Sequence, residues 1–487
     1  MDFGFWIDRG KQNNYQSYKK LEKLKSVPCS LFPGSSSTNL NVLQLIMLSF
    51  ISLGNFKSYE QAKITLASLT FLIGANASGK SNALEGIRLL SWLAKGGRLD
   101  DIERTIQGGD SVVRGQANDL FYQRGKSFIL GGCIEVTNRF HFLRHINFEI
   151  EIGQLPKSEQ LIITGETVTV PSERVPLYQI DGKPNPHTDE ISVMYNNFQK
   201  GKNKPHIPCS NRQAIFYQLG TPSRFSYKKS QETIPLVSET IRKNLRNIVF
   251  LDPRPSVMRD YTYAKDDDIK EDGANLSSVL YRICQTGENE KRKLLEFIRS
   301  LPEQDIIDID FIKTERNDVM VRLVESFGNH ERIIDTPLLS DGTLPVLAIG
   351  ATLLSVPTDT FVIIEEIDNG VHPSRADNLV KQIKTIAEER QLQVLLTSHN
   401  PALLDALPDE YLGDVLCCYR DPKKGDSRIV KLADLERFPE LIAQGTLGQL
   451  MTNKILDRFL KDDSTAKQRQ QKALAWLEQL KEETLAQ

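Results

Sequence analysis

The residues best suited to chemistry form a short glycine-rich stretch early in the chain. They follow the pattern G-x-x-x-x-G-K-S, filled by Gly74, Ala75, Asn76, Ala77, Ser78, Gly79, Lys80 and Ser81, with Asn82 next. Phosphate needs a concave set of backbone N–H donors, and only a loop of small residues wraps closely enough to supply it. In this pattern the following helix adds its dipole, the lysine reaches the terminal phosphates, and the serine hydroxyl completes a magnesium shell. The sequence therefore predicts a site for ATP and Mg2+, with a chance match in a glycine-rich turn as the alternative.

Two consecutive acids end a short apolar run further along the chain. Glu365 and Glu366 follow Phe361–Ile364, which is typical of a parallel strand buried on both faces. At the carboxyl edge of such a sheet, the first acid supports magnesium and the second polarises the attacking water. The alternative is a solvated strand end that carries two acids by chance.

Two further motifs could contact phosphate. Ser340 and Gly342 precede a run of apolar residues that predicts a buried helix, whose N-terminus favours anions. An ordinary helix N-cap would produce the same pattern. His399 follows the next predicted strand, Val394–Leu396, where it could contact the γ-phosphate and orient water. A lone histidine is more often structural, so both alternatives stay open.

The elements that must position these residues follow from hydrophobic periodicity. Strands are predicted near Leu48–Ile51, Lys63–Leu66 and Leu69–Ile73, and a helix over Lys80–Ala94. Strand, helix and strand around Glu366 imply a parallel, doubly wound sheet. The predicted organisation is a weakly ordered extension (1–46), an ATPase N-lobe (47–140), an α+β insert or lid (141–330), an ATPase C-lobe (331–455) and a charged C-terminal helix (456–487).

Composition narrows the class of protein. The chain has 487 residues and a formal net charge of -2, so any DNA contact would need a local basic patch or a partner. None of the six cysteines forms a C-x-x-C pair, which argues against a zinc site or a disulfide framework and favours a reducing, cytoplasmic location. The longest apolar runs are shorter than the about 20 residues of a membrane span, and we expect neither a signal peptide nor membrane contact.

Taken in order, these motifs resemble the ABC-type arrangement of P-loop ATPases. The stretch ISLGNFKSYEQAKITLASLTFLIGANASGKSN is similar to the opening of RecF, SMC and OLD-type ATPases. The C-terminal motifs LLSDGTLPVLAIGATLL, FVIIEEIDNGVHP and VLLTSHNPALLDAL resemble the AAA15/AAA21 group, which includes the ATPases of the Septu and PARIS anti-phage systems. The resemblance covers about 47–100 and 335–455.

The resemblance implies several roles. Ser340 and Gly342 would bind the γ-phosphate of a facing subunit, so the chain would form a homodimer or a higher homo-oligomer around sandwiched ATP. Gln123 would be the glutamine of the Q-loop type that assists the metal. The departures from the pattern are Glu365 in place of Asp, Ile367 in place of Pro, and Pro345 in the first turn of the signature helix, where a missing N–H costs little.

The fold class that follows is α/β: a P-loop ABC-type ATPase head with a mixed sheet and a compact α+β insert. The insert lacks sustained heptads, which argues against the long coiled coil of SMC-type proteins. The chain after His399 lacks the Asp-x-Asp of an OLD-type nuclease, so a separate effector subunit, a nuclease, would do any cutting. We expect a slow ATPase that serves as sensor or scaffold of an anti-phage complex; a RecF-like repair ATPase and a transporter ATPase subunit are the alternatives.

Overall fold

The computed structural model describes nine stretches of the chain. They are residues 45–102, 112–137, 143–155, 160–184, 188–299, 306–328, 330–368, 376–405 and 407–461. The predicted N-terminal extension, apart from its last two residues, lies outside them. So does the C-terminal helix after residue 461.

The phosphate loop lies at the carboxyl end of an inner strand of a six-stranded central sheet. With strands and helices numbered in chain order, its spatial order is β10 (Val249–Leu251), β15 (Phe361–Ile364), β16 (Gln393–Ser398), β3 (Leu69–Ile73), β17 (Val415–Arg420) and β18 (Ser427–Lys431). The first five strands are parallel and the last is antiparallel, so the sheet is mixed. The predicted parallel pairing of the acidic strand with the strand before His399 is confirmed.

A larger antiparallel sheet packs beside it. In spatial order it contains β2 (Tyr59–Thr65), β1 (Leu45–Phe56), β4 (Ser127–Thr137), β5 (His145–Gln154), β6 (Leu161–Thr169), β7 (Tyr178–Ile180), β8 (Glu190–Tyr195) and β9 (His206–Ser210). Because β4 pairs with β5, this sheet runs across the predicted boundary at 140/141. The division between N-lobe and insert at that point is therefore wrong, since backbone pairing continues through it.

The remaining strands form a third, smaller sheet. It contains β11 (Thr262–Tyr263), β12 (Ile306–Lys313), β13 (Asp318–Phe327) and β14 (His330–Asp335). β13 pairs with the other three strands, and all these pairs are antiparallel. The predicted boundary at 330/331 needs correction because it falls inside β14, which belongs to this sheet with the rest of the insert.

The helices are short and lie on both sides of the central sheet. They are α1 (Lys80–Ala94), α2 (Ile215–Gln218), α3 (Lys228–Arg246), α4 (Leu276–Thr286), α5 (Glu288–Ile298), α6 (Thr343–Ser355), α7 (Ala376–Arg390), α8 (Pro401–Asp405), α9 (Phe438–Ile442), α10 (Leu447–Thr452) and α11 (Ile455–Lys461). Among the described residues, α3 is the longest helix at 19 residues, and no coiled-coil arm is present. In the same ranges, no helix is both long and apolar enough to cross a membrane.

Two hydrophobic clusters cover the two faces of the central sheet. Successive strand residues alternate between them: Leu395 of β16 belongs to the first cluster, and its neighbours Val394 and Leu396 belong to the second. The buried aliphatic and aromatic residues of α1 and α3 are in the first cluster, and those of α4, α5, α6 and α7 are in the second. The phosphate-loop helix α1 and the helix α6 after Ser340 therefore pack against opposite faces.

Candidate functional site

The predicted glycine-rich stretch forms a tight loop between β3 and α1. Gly74 has a φ of 155° and Gly79 a φ of 122°, which side-chain-bearing residues rarely adopt. A Cβ at Gly74 would collide with the carbonyl oxygen of Cys418, and one at Gly79 would collide with Ser427. Glycine at these two positions lets the loop close onto β17 and β18, so the motif is in the structural context that phosphate binding requires.

Three side chains that the motif search missed hold the carbonyl groups of the loop. Tyr59 donates from its hydroxyl to Gly79 O at 3.0 Å, Cys418 Sγ contacts Ser78 O at 3.4 Å, and Arg420 Nε donates to Ala77 O at 3.1 Å. The trans peptide group is planar, so the N–H that follows each of these carbonyls points the opposite way. The N–H groups of Gly79 and Lys80 are thus turned away from Cys418 and Tyr59, toward the inner side of the loop.

Lys80 and Ser81 begin α1 directly after the loop. Lys80 Nζ donates to the carbonyl oxygens of Gly74 and Ala75, the second at 3.3 Å. Burial lowers the pKa of Lys80, whereas Cys418, Glu366 and Asp368 act in the opposite direction. Ser81 is exposed in the first helical turn, while Asn82 turns aside and donates to the hydroxyl of Ser58 at 2.8 Å.

The two predicted acids lie at the carboxyl edge of the central sheet. Ile364 is in register with Leu396 of β16, and β16 and β3 end together two residues further on, at Ser398 and Ile73, so the residues that follow these three parallel strands meet at one edge. Glu366 has a φ of 47°, and its N–H donates to Thr397 Oγ1 at 2.9 Å. A left-handed conformation at a non-glycine residue persists only where its surroundings enforce it, and such residues cluster at functional sites.

Glu365 has a different environment. Its carboxylate lies 3.5 Å from the guanidinium of Arg88, which projects from α1 and also forms a two-bonded ion pair with Glu271. Burial raises the pKa of Glu365 to about 7; Asp252 and Glu271 add to this, and Arg88 opposes it. The carboxylate is thus costly to keep charged without a cation, which suits a position beside a metal.

His399 follows β16 and has an acidic neighbour that the motif search did not identify. Its Nδ1 lies 3.8 Å from Asp368 Oδ2. The side chain of Asp368 is 6% exposed, and within the described residues its Oδ1 has no hydrogen-bond partner. Asp368 comes only two residues after the acidic pair, but no motif marks it, so only the fold shows that it faces the histidine.

Ser340 and Gly342 lie at the N-terminus of α6. Ser340 Oγ accepts a hydrogen bond at 3.1 Å from the N–H of Thr343, the first residue of α6, and Gly342 is the N-cap of that helix. Arg259 donates to Leu339 O at 2.9 Å and forms an ion pair with Asp341. This motif therefore begins a helix that packs on one face of the central sheet, whereas α1, the helix that follows the phosphate loop, packs on the other.

Gln123 lies in a single turn outside the central sheet. Its φ is 46°, and its amide donates to the hydroxyl of Tyr122 at 2.8 Å. The contacts of Gln123 do not test its predicted role at the metal, which stays a prediction.

The site fits ATP with magnesium. A cradle that a Cβ would fill, turned-in backbone N–H groups and a lysine suit polyphosphate. The Ser81 hydroxyl and the two strand-end glutamates are oxygen donors, and magnesium is usually bound through one or two carboxylates together with substrate phosphates. Within the described ranges, no cluster of three or more His, Cys, Asp or Glu side chains is arranged to hold a metal alone.

Fold and site together define an ABC-like P-loop ATPase head. Residues 69–149 and 217–405 match the family described as "AAA domain, putative AbiEii toxin, Type IV TA system". Because the match covers more than half of the chain, the chain belongs to this family, which is the AAA21 group that the motifs predict.

Among the proteins similar to the chain are a curated relative and two solved structures. The DNA replication and repair protein RecF of Leptospira interrogans is 28% identical to the chain over 155 residues. These residues are 31% of this chain and 40% of RecF. The SMC head domain of Thermotoga maritima has a TM-score of 0.39 and 14% identity over 79% of this chain and 98% of its own. An Smc head domain with an extended coiled coil, bound to the C-terminal domain of ScpA from Pyrococcus furiosus, has a TM-score of 0.38 and 14% identity, covering 82% and 99%. The match spans less than half of RecF. The predicted resemblance to the RecF and AAA21 group is confirmed.

Proposed function

We propose that this protein binds and slowly hydrolyses ATP between two copies of itself. The observation that carries the proposal is the position of four motifs around one sheet. The phosphate loop, Glu366 and His399 are at one edge of the central sheet, whereas Ser340 heads a helix on the face opposite α1. Ser340 then completes the site of a facing subunit.

In this mechanism each side chain has one task. Lys80 and the loop N–H groups bind the phosphates, and magnesium, when bound, neutralises part of their charge. Glu366 takes a proton from the attacking water, and its fixed backbone holds the carboxylate in place. His399 Nε2 is left to face the phosphate because Nδ1 is on the side of Asp368. Ser81 and Glu365 supply oxygen ligands for the metal, and Gln123 stays a candidate for assisting them.

Glu366→Gln should keep ATP binding and stop hydrolysis, since an amide cannot act as a general base. The rate should fall by about 10²- to 10⁴-fold, measured as phosphate release at saturating ATP. The trapped ATP state should show a larger dimer fraction by light scattering. Glu365→Gln is the matched variant one residue away. If it alone stops turnover while Glu366→Gln remains active, the two roles are exchanged.

We further propose that the ATPase is the sensor or scaffold of an anti-phage complex that controls a separate effector, such as a nuclease. Membership of a family described by a toxin system supports this role. The similarity to RecF favours a second candidate, an ATPase of DNA repair that contacts DNA.

Experiments in cells that carry the gene together with its neighbouring genes distinguish these two roles. A defence ATPase should lower phage plaque counts in a manner that Lys80→Ala abolishes, without changing survival after ultraviolet damage. Protection from ultraviolet damage with unchanged plaque counts would establish the repair role instead.

A further inference from the structure

One stretch of the chain contacts both the magnesium side of the site and the Ser340 motif. It consists of residues 252–272, which we call the bridging segment, and it connects β10 to the region before α4. Its two ends are held side by side, since Asp252 N donates to Glu271 O at 2.8 Å and Arg254 N donates to Asp272 O at 3.0 Å. The two ends of the segment are thus hydrogen-bonded to each other, and the segment forms a closed loop.

The C-terminal end of the bridging segment contacts the phosphate-loop side. Glu271 holds the guanidinium of Arg88 through both carboxylate oxygens, and the same guanidinium lies 3.5 Å from Glu365. Arg88 also stacks over the ring of Phe250 in β10, with 4.3 Å between its Cζ and the ring centroid. A shift of Glu365 toward a magnesium ion would therefore alter the pair between Arg88 and Glu271.

The middle of the bridging segment contacts the Ser340 motif. Arg259 donates to Leu339 O at 2.9 Å and forms an ion pair with Asp341, so it contacts residues on both sides of Ser340. The side chain of Arg259 is 26% exposed, whereas that of Asp341 is 79% exposed. Arg259 therefore anchors a motif whose own acid is otherwise open to solvent.

One buried side chain and one buried amide connect the regions of these two contacts. Met258, next to Arg259, is 1% exposed, and its side chain closely covers Gly273, which follows the Glu271 end. Asn275 is fully buried, and its amide donates to Asp266 O at 3.1 Å and to Asp268 O at 2.7 Å. The contact between Met258 and Gly273 gives a displacement at Glu271 a route to Arg259.

We propose that the bridging segment couples the ATP site of one subunit to the Ser340 motif that this subunit offers to its partner, with Glu271 and Arg259 as the positioning residues at its two contacts. The inference rests on the proposed ATP sandwich. Occupation of a chain's own site would then position its Ser340 for the second site, so the two sites of a dimer act together.

The test is a double-mutant cycle in the Glu366→Gln background, which retains ATP. Arg259→Gln removes the contact with the Ser340 motif, and Glu271→Gln removes the ion pair with Arg88. The control is Lys265→Gln, because Lys265 is an exposed lysine of the same segment. Each single cut should weaken ATP-induced dimerisation about fivefold or more, the lower range of coupling between sites. The double variant should be no weaker than the more affected single variant, because both substitutions break one connection. Effects that multiply, or singles that match Lys265→Gln, would overturn the coupling.

A second measurement uses monomers and separates this inference from the proposed sandwich. At concentrations too low for dimers, Mg-ATP should change hydrogen exchange of the amides at 338–343 in the parent but not in Glu271→Gln. The affinity of monomeric Arg259→Gln for ATP should equal that of the parent, because the hydrogen bonds of its side chain within the described residues go to Leu339 and Asp341 and not to the ATP site. A parent that never dimerises with ATP refutes the sandwich, whereas an exchange response that survives Glu271→Gln refutes the coupling alone.

Discussion

Lys80→Ala should remove detectable ATP binding. Lys80 is the side-chain cation at the mouth of the loop, and its ammonium now spans the carbonyls of Gly74 and Ala75, next to where phosphates would lie. Each hydrogen bond to a charged group contributes about 1.5–3 kcal/mol, so losing two weakens binding by at least about a hundredfold. Isothermal titration calorimetry with Mg-ATP measures this directly.

Lys95→Ala is the matched control for that titration. Lys95 is an exposed lysine that caps the far end of the same helix, about 22 Å from Lys80 at the rise of an α-helix. It removes the same charge from α1 without touching the loop, so its ATP affinity should be that of the parent. Equal affinity in Lys80→Ala and Lys95→Ala would contradict the assignment of the phosphate loop.

The local elements of the site could be predicted because each is encoded in a short run of residues. The structure has the predicted helix Lys80–Ala94 and strand Phe361–Ile364 with the same bounds. In both cases the apolar pattern is strong and the neighbours break it clearly: glycine precedes the helix, and paired acids follow the strand. The parallel pairing also followed, since a strand, a helix and a second strand in sequence leave few topologies.

Contacts between distant parts of the chain could not be predicted in this way. Tyr59 and Cys418 are 359 residues apart, yet they lie 3.2 Å apart beneath the loop. Arg88 and Glu271 are likewise 183 residues apart. Nothing in either local sequence marks such partners, because a buried tyrosine or a helical arginine has many possible neighbours until the fold selects one.

The lobe boundaries failed for a related physical reason. The sequence predicts a boundary at 140/141, but strand pairing depends on register between distant segments, which no local pattern reveals. Leu130 pairs with Ile150 across the predicted boundary, and both are fully buried. A sheet edge left at β4 would expose unpaired backbone groups, so the chain continues the sheet.

The use of glutamate in place of aspartate at position 365 becomes understandable in this structure. The extra methylene extends the carboxylate to within 3.5 Å of Arg88, which is also paired with Glu271. Burial raises the pKa of Glu365, and the guanidinium of Arg88 stabilises the charged form of its carboxylate. Under the proposed coupling, the same side chain would bind the metal and, through Arg88 and Glu271, transmit that binding to the bridging segment, which links the glutamate at position 365 to the coupling.

Ser340→Arg should spare ATP binding to the monomer and prevent hydrolysis. Ser340 lies on the face opposite α1, so a bulky side chain there blocks the facing subunit and leaves the chain's own loop unchanged. Loss of the electrostatic contacts of a closed site should lower the rate by about a hundredfold or more. Calorimetry measures the first effect and phosphate release the second. A variant that binds no ATP would contradict an action across the interface.

Mixing Ser340→Arg with Lys80→Ala protein makes this test sharper. Each heterodimer has one site with both substitutions and one site with neither, because a site combines the loop of one subunit with Ser340 of the other. If the sites hydrolyse ATP singly, two inactive proteins mixed equally should recover about a quarter of the parental activity in a twofold symmetric dimer. Native mass spectrometry confirms that heterodimers form. Heterodimers without activity would show that both sites must be intact together, as strong coupling through the bridging segment requires, or that Ser340 acts within its own chain. A mixture of parent protein with a chain that carries both substitutions distinguishes these outcomes: if Ser340 acts within its own chain, the parent subunit of the heterodimer keeps an intact site and hydrolyses ATP, whereas action across the interface leaves neither site intact.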